Sequence, residues 1–436
     1  MNRSTLLLLP FFLFSATLIA QEAATNQTEL KTESASTATV LPFKHEEVAP
    51  EACDQAGCDG ISEAVAKYCN CGTNNRPFQL RGWVDAGAVW NTDDPSSKFN
   101  GPYNAVDRSN EPMLNQFYLI GEKSLPCYGF GLGARIDLLY GEDFFLAESI
   151  GMEKRDDGAP HWNPEYYGLA IPQAYLSLGN EVASLQVGHF YSIVGYESLM
   201  APENFFYSKA YSYQFAGPFT HWGIQTNLKL NESWNIQLGL TNGWDALDRV
   251  DDAMGYIGKI RYDHQPTGIW TSLAATTGDE FNNPAGLAIP EASTNRTRYS
   301  WLVGLPLTCR TEYVFHHWYG SQAEGAVGGG DARWYGIDQY LYHTINCRWK
   351  AGVRFEWFRD EDGTRVGLNR PSNPNVAPFA GDFYSLSLGL NYRPCQNLVF
   401  RPDVRFDWYD GDNTPPFDDG TSKNQSMLGF DAILSF

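Results

Sequence analysis

The residues best suited to chemistry stand in rows. In the stretch NLVFRPDVRFDWYD, Arg401, Asp403, Arg405 and Asp407 alternate with apolar side chains. RWKAGVRFEWF holds Arg354 and Glu356 at the same spacing, and GFGLGARIDLLY holds Arg135 and Asp137. Arg81 and Asp85 keep the same parity in an earlier stretch, and Asp431 does so near the end, in SMLGFDAILSF. A spacing of two or four puts such residues on one face of an extended strand. Guanidinium groups and carboxylates so arranged have two uses. Facing one another across a water-filled space, they set up a transverse field that orients polar solutes. Joined in pairs, they neutralise one another and brace a wall. The spacing leaves both open.

Other chemistry is poorly supplied. His316 and His317 are adjacent, so on a strand they point to opposite faces and share no site. Gly325–Gly330 has no Lys and no helix pattern after it, so it is not a phosphate loop. The acidic stretches Asp245, Asp248, Asp251 and Asp252, and Asp418 with Asp419, lack the spacing of a calcium loop and read as solvated. No catalytic residue, metal site or cofactor is expected. The formal net charge of -20 argues against nucleic acid, because there is no basic surface to release its counterions.

The elements that carry the charged rows are strands. From Phe78 to Phe436 the chain alternates with period two in stretches of about ten residues, the signal of a half-exposed strand. Opposite Arg401, Asp403, Arg405 and Asp407 stand Leu398, Phe400, Pro402, Val404, Phe406 and Trp408. Sixteen such stretches can be counted, those near 114–124 and 333–346 with ambiguous faces. Their connections alternate strictly between short (LPCY, GNEV, LNESW, HQPTG, LTCRT, INCRW, RPCQN) and long polar ones. Long strands, alternating connections and a wholly apolar second face together specify an all-β, transmembrane, antiparallel up-and-down barrel. Its apolar face meets outer-membrane lipid. Aromatics near strand ends then read as interfacial girdles: Trp90, Tyr140, Trp244, Trp318, Tyr319, Trp357, Trp408 and Tyr409 at one rim, and Tyr128, Trp234, Trp349 and Phe436 at the other. A soluble exported β-protein binding carbohydrate through its 13 Trp residues is the competing reading, and a non-porin barrel, lipase or adhesin, is another. A lipase would need a nucleophile and His together on the outer wall, and no such pair stands out.

Residues 1–20, with a basic start, an apolar core and a small-residue end, are expected to be a signal peptide. Residues 21–50 read as a disordered linker and 51–77 as a Cys-rich periplasmic segment ahead of the barrel at 78–436. Eight cysteines in an exported chain suggest disulfides. Cys53, Cys58, Cys69 and Cys71 lie in the N-terminal segment, and Cys127, Cys309, Cys347 and Cys395 each fall in a short turn. Adjacent turns sit roughly 10 Å apart across two strand spacings, too far for easy bridging. Two arrangements stay open: bridges from the turns to the N-terminal four, or bridges within residues 53–71 and free turn thiols.

One long connection differs from the rest. GYESLMAPENFFYSKAYSYQFAGP, near 194–217, is too aromatic for a free external loop. It is expected to fold into the barrel and narrow it, with Glu197, Glu203 and Lys209 near the opening. This region also carries a resemblance. VGHFYSIVGYE, PENFFYS, HWGIQTNLKL and GLTNGWD, in that order, are similar to the β-barrel porins of the OmpL-like type, and the resemblance extends over about 78–436. It implies a porin of the bacterial outer membrane passing small polar solutes. The alternating SMLGFDAILSF with Phe436 last resembles the C-terminal signal of such barrels, which implies recognition by the barrel assembly machinery. A homo-oligomer is left open.

Overall fold

The computed structural model describes residues 78–155, 160–164, 166–248, 254–281, 293–326, 329–367, 370, 372–376 and 378–436. The signal peptide, the linker and the Cys-bearing segment expected at 1–77 lie outside these residues.

Sixteen strands run in chain order. They are β1 (Gln79–Asn91), β2 (Pro112–Lys123), β3 (Gly131–Gly141), β4 (Gly168–Gly179), β5 (Ala183–Tyr191), β6 (Thr220–Lys229), β7 (Trp234–Thr241) and β8 (Gly255–His264). The second half comprises β9 (Ile269–Phe281), β10 (Ser293–Thr308), β11 (Thr311–Gln322), β12 (Ala332–Thr344), β13 (Trp349–Asp360), β14 (Gly381–Cys395), β15 (Leu398–Asp410) and β16 (Asn424–Ser435). Each pairs antiparallel with its sequence neighbours, and β16 returns to β1, so the barrel is closed. Closure removes every free edge, which a sheet in lipid requires. The seam runs from Asn91 opposite Met427 to Trp83 opposite Ser435. Beyond it, Gly82 and Phe436 exchange both backbone hydrogen bonds, at 2.8 and 2.9 Å.

The alternation in the sequence becomes the two faces of the wall. Leu80, Leu132, Leu176, Leu238, Leu273, Leu388 and Leu428 point outward and are exposed. A continuous exposed apolar belt of this kind would aggregate in water and is at home in hydrocarbon. On the inner face Asp85, Asp137, Arg354, Glu356, Arg401, Asp403, Arg405, Asp407 and Asp431 are all buried.

One expectation is corrected and one ambiguity is resolved. Trp244, Trp318 and Tyr409 do not belong to a lipid girdle. Trp318 and Tyr409 have the inward parity of their strands and are buried, as is Trp244 in the connection after β7. Their sequence neighbours Tyr319 and Trp408 take the outward side, because adjacent strand residues face oppositely. The ambiguous face of β2 has a local cause. Asp85 pairs with Gln116 but Ala86 pairs with Leu114, so Asn115 is an inserted bulge residue. Both Asn115 and Gln116 are therefore buried inside.

At the end with the long connections, the lumen beside β11–β16 and β1 is filled. Trp318, Trp334, Phe358, Phe383, Tyr409 and Met427 of the wall pack around Tyr103, Tyr211, Phe215, Val366, Phe379 and Phe417 from the loops. Arg370 ties its own connection to two others, binding Asp107 between β1 and β2 at 2.7 Å and Glu142 after β3 at 2.8 Å.

Candidate functional site

The connection between β5 and β6, residues 192–219, folds into the barrel. It includes a single turn of α-helix, α1 (Tyr211–Phe215). Asn204 shapes its tip by accepting from the Ser198 N–H and donating to the Ser198 and Met200 carbonyls. A loop in the lumen has peptide groups that must find partners away from bulk water. The charged rows of the wall supply them. Arg401 Nη1 donates to the carbonyls of Ala201 and Asn204, both at 2.8 Å. Its other side pairs with Asp431, and Asp85 lies 3.9 Å away. Arg354 binds Glu197 and the Ser208 carbonyl, each at 2.8 Å, and pairs with Glu356. Arg405 donates to the Lys209 carbonyl and pairs with Asp407. Asp403 accepts from the Ser208 amide and hydroxyl, and Glu356 from the Tyr211 amide at 2.6 Å.

Glycines make the room. A Cβ on Gly352 would stand 2.4 Å from the Phe205 ring, and one on Gly389 would stand 3.0 Å from Phe206. Cβ atoms on Gly87 and Gly429 would press on Tyr207, at 2.9 and 3.1 Å. Gly352 pairs directly with Gly389, and Asp403 joins Gly389 to Gly429. The wall from β13 to β1 is therefore a shelf of small residues on which the aromatics of PENFFYS lie. A glycine inside a strand often marks such a close approach.

The remaining space lies between this loop and the opposite wall. It forms a cavity of about 600 Å³ reaching the short-turn end at Arg81, Ser435 and Phe436. Its lining includes Glu122, Arg135, Glu197, Glu203, Lys259 and Arg298. Arg81 pairs with Glu122 at 2.6 Å and Arg135 with Asp137 at 2.7 Å. Glu203 stands in the loop, and burial pushes its carboxyl up to about 7. Lys209 donates to the Ser198 carbonyl within the loop, and burial pulls its ammonium down to about 8. The sequence brought Glu197, Glu203 and Lys209 to notice. It gave no sign of Lys259, Arg298 or the glycine shelf, although cavity and shelf depend on them.

One constellation has the composition of a hydrolytic triad. Ser300 Oγ and His316 Nε2 are 2.8 Å apart, and His316 Nδ1 lies 2.8 Å from Asp338. Ser300, His316 and Asp338 are all buried, and Asp338 also accepts from the Ser212 hydroxyl of the inserted loop. His316 borders the cavity, but Ser300 is not among the lining residues. The β10 backbone around Ser300 is paired with β9 and β11 on both sides, leaving no N–H free for an oxyanion. The trio is a polar bracket across three strands.

Among the described residues, no group of three or more His, Cys, Asp or Glu could hold a metal ion. Asp245, which the sequence read as solvated, instead accepts from the Phe219 and Thr220 amides. Asp419 receives the Ser97 amide, and Asp251 and Asp252 lie outside the described residues. Cys395 is free and exposed, and Cys53, Cys58, Cys69 and Cys71 lie outside the described residues.

A family model described as "Putative beta-barrel porin-2, OmpL-like" matches residues 77–436. No curated protein matches the chain. Among solved structures, the outer membrane channel DcaP of Acinetobacter baumannii is similar, with 13% identity and a TM-score of 0.54. The match covers 82% of this chain and 97% of that one. An anion-selective porin from Comamonas acidovorans matches with 11% identity and a TM-score of 0.53, over 83% of this chain and 99% of that one. OmpT of Vibrio cholerae in its trimer form matches with 7% identity and a TM-score of 0.51, over 83% and 99%. At such identities the likeness establishes the barrel fold.

Proposed function

The chain belongs to the OmpL-like β-barrel porin family, and we propose that it passes small hydrophilic solutes and ions passively across the outer membrane, between the inserted loop and the wall of β1–β10. The observation that carries this reading is the charged cavity of about 600 Å³ held open inside a closed barrel. In this reading Arg81, Arg135 and Glu203 meet the passing solute. Arg354, Arg401, Arg405 and the carboxylates around them hold the constricting loop. Purified protein in planar bilayers is expected to give stepwise ohmic conductance. Persistent silence from folded barrels would reject the porin reading. Steps grouped in threes would support a trimer like that of the Vibrio protein; single steps would support independent barrels.

We also infer that the N-terminal segment is tied to the short-turn rim. The turns that carry Cys127, Cys309 and Cys347 lie at the short-turn rim, the end at which the chain enters β1, and that placement supports at least one bridge from these turns to Cys53, Cys58, Cys69 or Cys71. Non-reducing peptide mapping is expected to recover a turn peptide joined to a peptide from residues 53–71. Bridges confined to residues 53–71 would end the idea.

A further inference from the structure

We propose that Lys259 and Arg298 form a binding site for a small oxyanion, a carboxylate or a phosphate, on the β8–β10 wall beside the ends of the inserted loop; the proposal rests on the porin reading and names what its cavity selects. Both side chains line the cavity. Lys259 is 6% exposed and Arg298 3%. Burying a cation is costly unless a partner compensates it. Four arginines of the inner wall have such partners: Arg135, Arg354, Arg401 and Arg405 each pair with carboxylates. Among the described residues Lys259 has neither a hydrogen bond nor an ion pair. Arg298 makes one hydrogen bond, 3.4 Å long, from Nη1 to the Val194 carbonyl, and its Nε has no partner.

Asp338 is the carboxylate whose charge reaches Arg298, but it is held by His316 and by the Ser212 hydroxyl and forms no ion pair with Arg298 among the described residues; the cross-strand neighbours carry no charge. Lys259 is flanked across the sheet by Gln237 on β7 and Ala274 on β9. Arg298 is flanked by Thr276 on β9 and Gly320 on β11. Arg261, one inward step along β8, is already neutralised by Asp263 at 2.7 Å. Gln225 lines the same cavity, and its buried side-chain oxygen is unpartnered, as is that of Gln237. These two amides are therefore free to turn their NH2 donors toward a ligand.

The register fixes the spacing. Lys259 pairs with Ala274, Ala274 with Ser300, and Arg298 lies two residues along β10 from Ser300. Two strand spacings and two residues of rise put the two Cα atoms roughly 12 Å apart. That gap suits two long cationic side chains closing on one oxyanion from either side. Arg298 offers a planar fork and Lys259 a point charge, the pairing that suits carboxylate and phosphate oxygens. A chloride ion would satisfy the charge but leave the fork and the two amides unused.

The test uses the full-length protein in planar bilayers under a potassium chloride gradient, with inorganic phosphate or acetate added. Wild-type channels are expected to favour anions and to show a concentration-dependent fall in current with the added oxyanion. Stronger block by phosphate identifies phosphate as the better ligand; stronger block by acetate identifies the carboxylate. Lys259→Gln should lower the anion-to-cation permeability ratio on the order of fivefold, the factor given by about 1 kcal/mol of lost attraction, and abolish the block. Lys259→Arg should retain both. Lys423→Gln, a charge change in the last external loop, should alter neither. A conducting Lys259→Gln channel with wild-type selectivity and block overturns the site and leaves the porin reading standing. Electrical silence of the wild type overturns the porin reading; titration of inorganic phosphate into the folded, detergent-solubilised barrel then decides the site. Heat of binding that Lys259→Gln removes supports it, and its absence in the wild type overturns it.

Discussion

Deleting residues 200–212, MAPENFFYSKAYS, is expected to roughly double the single-channel conductance, because a barrel of sixteen strands is wide enough for an aqueous channel and this loop occupies one side of it. The deleted stretch contains Phe205, Phe206 and Tyr207, which lie on the glycine shelf. It also contains Ala201, Asn204, Ser208 and Lys209, whose carbonyls receive Arg401, Arg354 and Arg405. Without it the arginines keep their carboxylate partners on the wall and gain water, so the barrel remains closed. Folding is checked by the shift in gel mobility between unheated and heated samples. A folded deletion variant with unchanged conductance would mean that the loop does not limit the flow of ions.

Arg401→Met is expected to be the most destabilising single substitution on the inner wall. Arg401 stands between Asp431 and Asp85 across the seam and holds two loop carbonyls. Methionine fills a similar volume but leaves the two buried carboxylates facing each other without a cation. Breaking a buried ion pair from one side costs about 3–5 kcal/mol. The combined variant Arg401→Met, Asp85→Asn, Asp431→Asn removes that repulsion and should recover much of the loss. Urea unfolding in detergent, followed by Trp fluorescence, measures both. Equal stability of Arg401→Met and wild type would show that water, not Arg401, compensates these carboxylates.

Strand number, barrel closure and the side taken by most residues were legible from alternation alone. Lipid and lumen demand opposite side chains, and the period of two records that demand at every position. Legibility failed where a second constraint was superimposed. At Asn115 the bulge resets the parity of β2, so the pattern on either side looks contradictory. At Trp318 and Tyr409 aromatic character suggested a girdle, while parity, the stronger signal, placed both inside. The charged rows were visible, but their partners were not, since Arg401 and Ala201 are 200 residues apart in the chain. Gly352 and Gly389 read as weak strand positions because a glycine does not announce what fills the space beside it. Lys259 in GYIGKIRYDH looked like one more member of an alternating row. Only the identities of its cross-strand neighbours, Gln237 and Ala274, set it apart.

The sockets for the inserted loop also order events in biogenesis. Residues 192–219 leave the ribosome long before the strands that receive them, β13 to β16. The contacts closing on Asp403 and Arg401 span 195 and 200 residues. Such distant contacts carry a high chain-entropy cost and form late. One further socket wall, β1, is completed only by its pairing with β16, with Asp85 and Asp431 on its two sides. The loop therefore has no full seat until the first and last strands meet. A barrel still opening and closing at that seam is also a barrel with an unseated loop and a wide lumen, so registration of the final strand doubles as the event that sets the calibre of the channel.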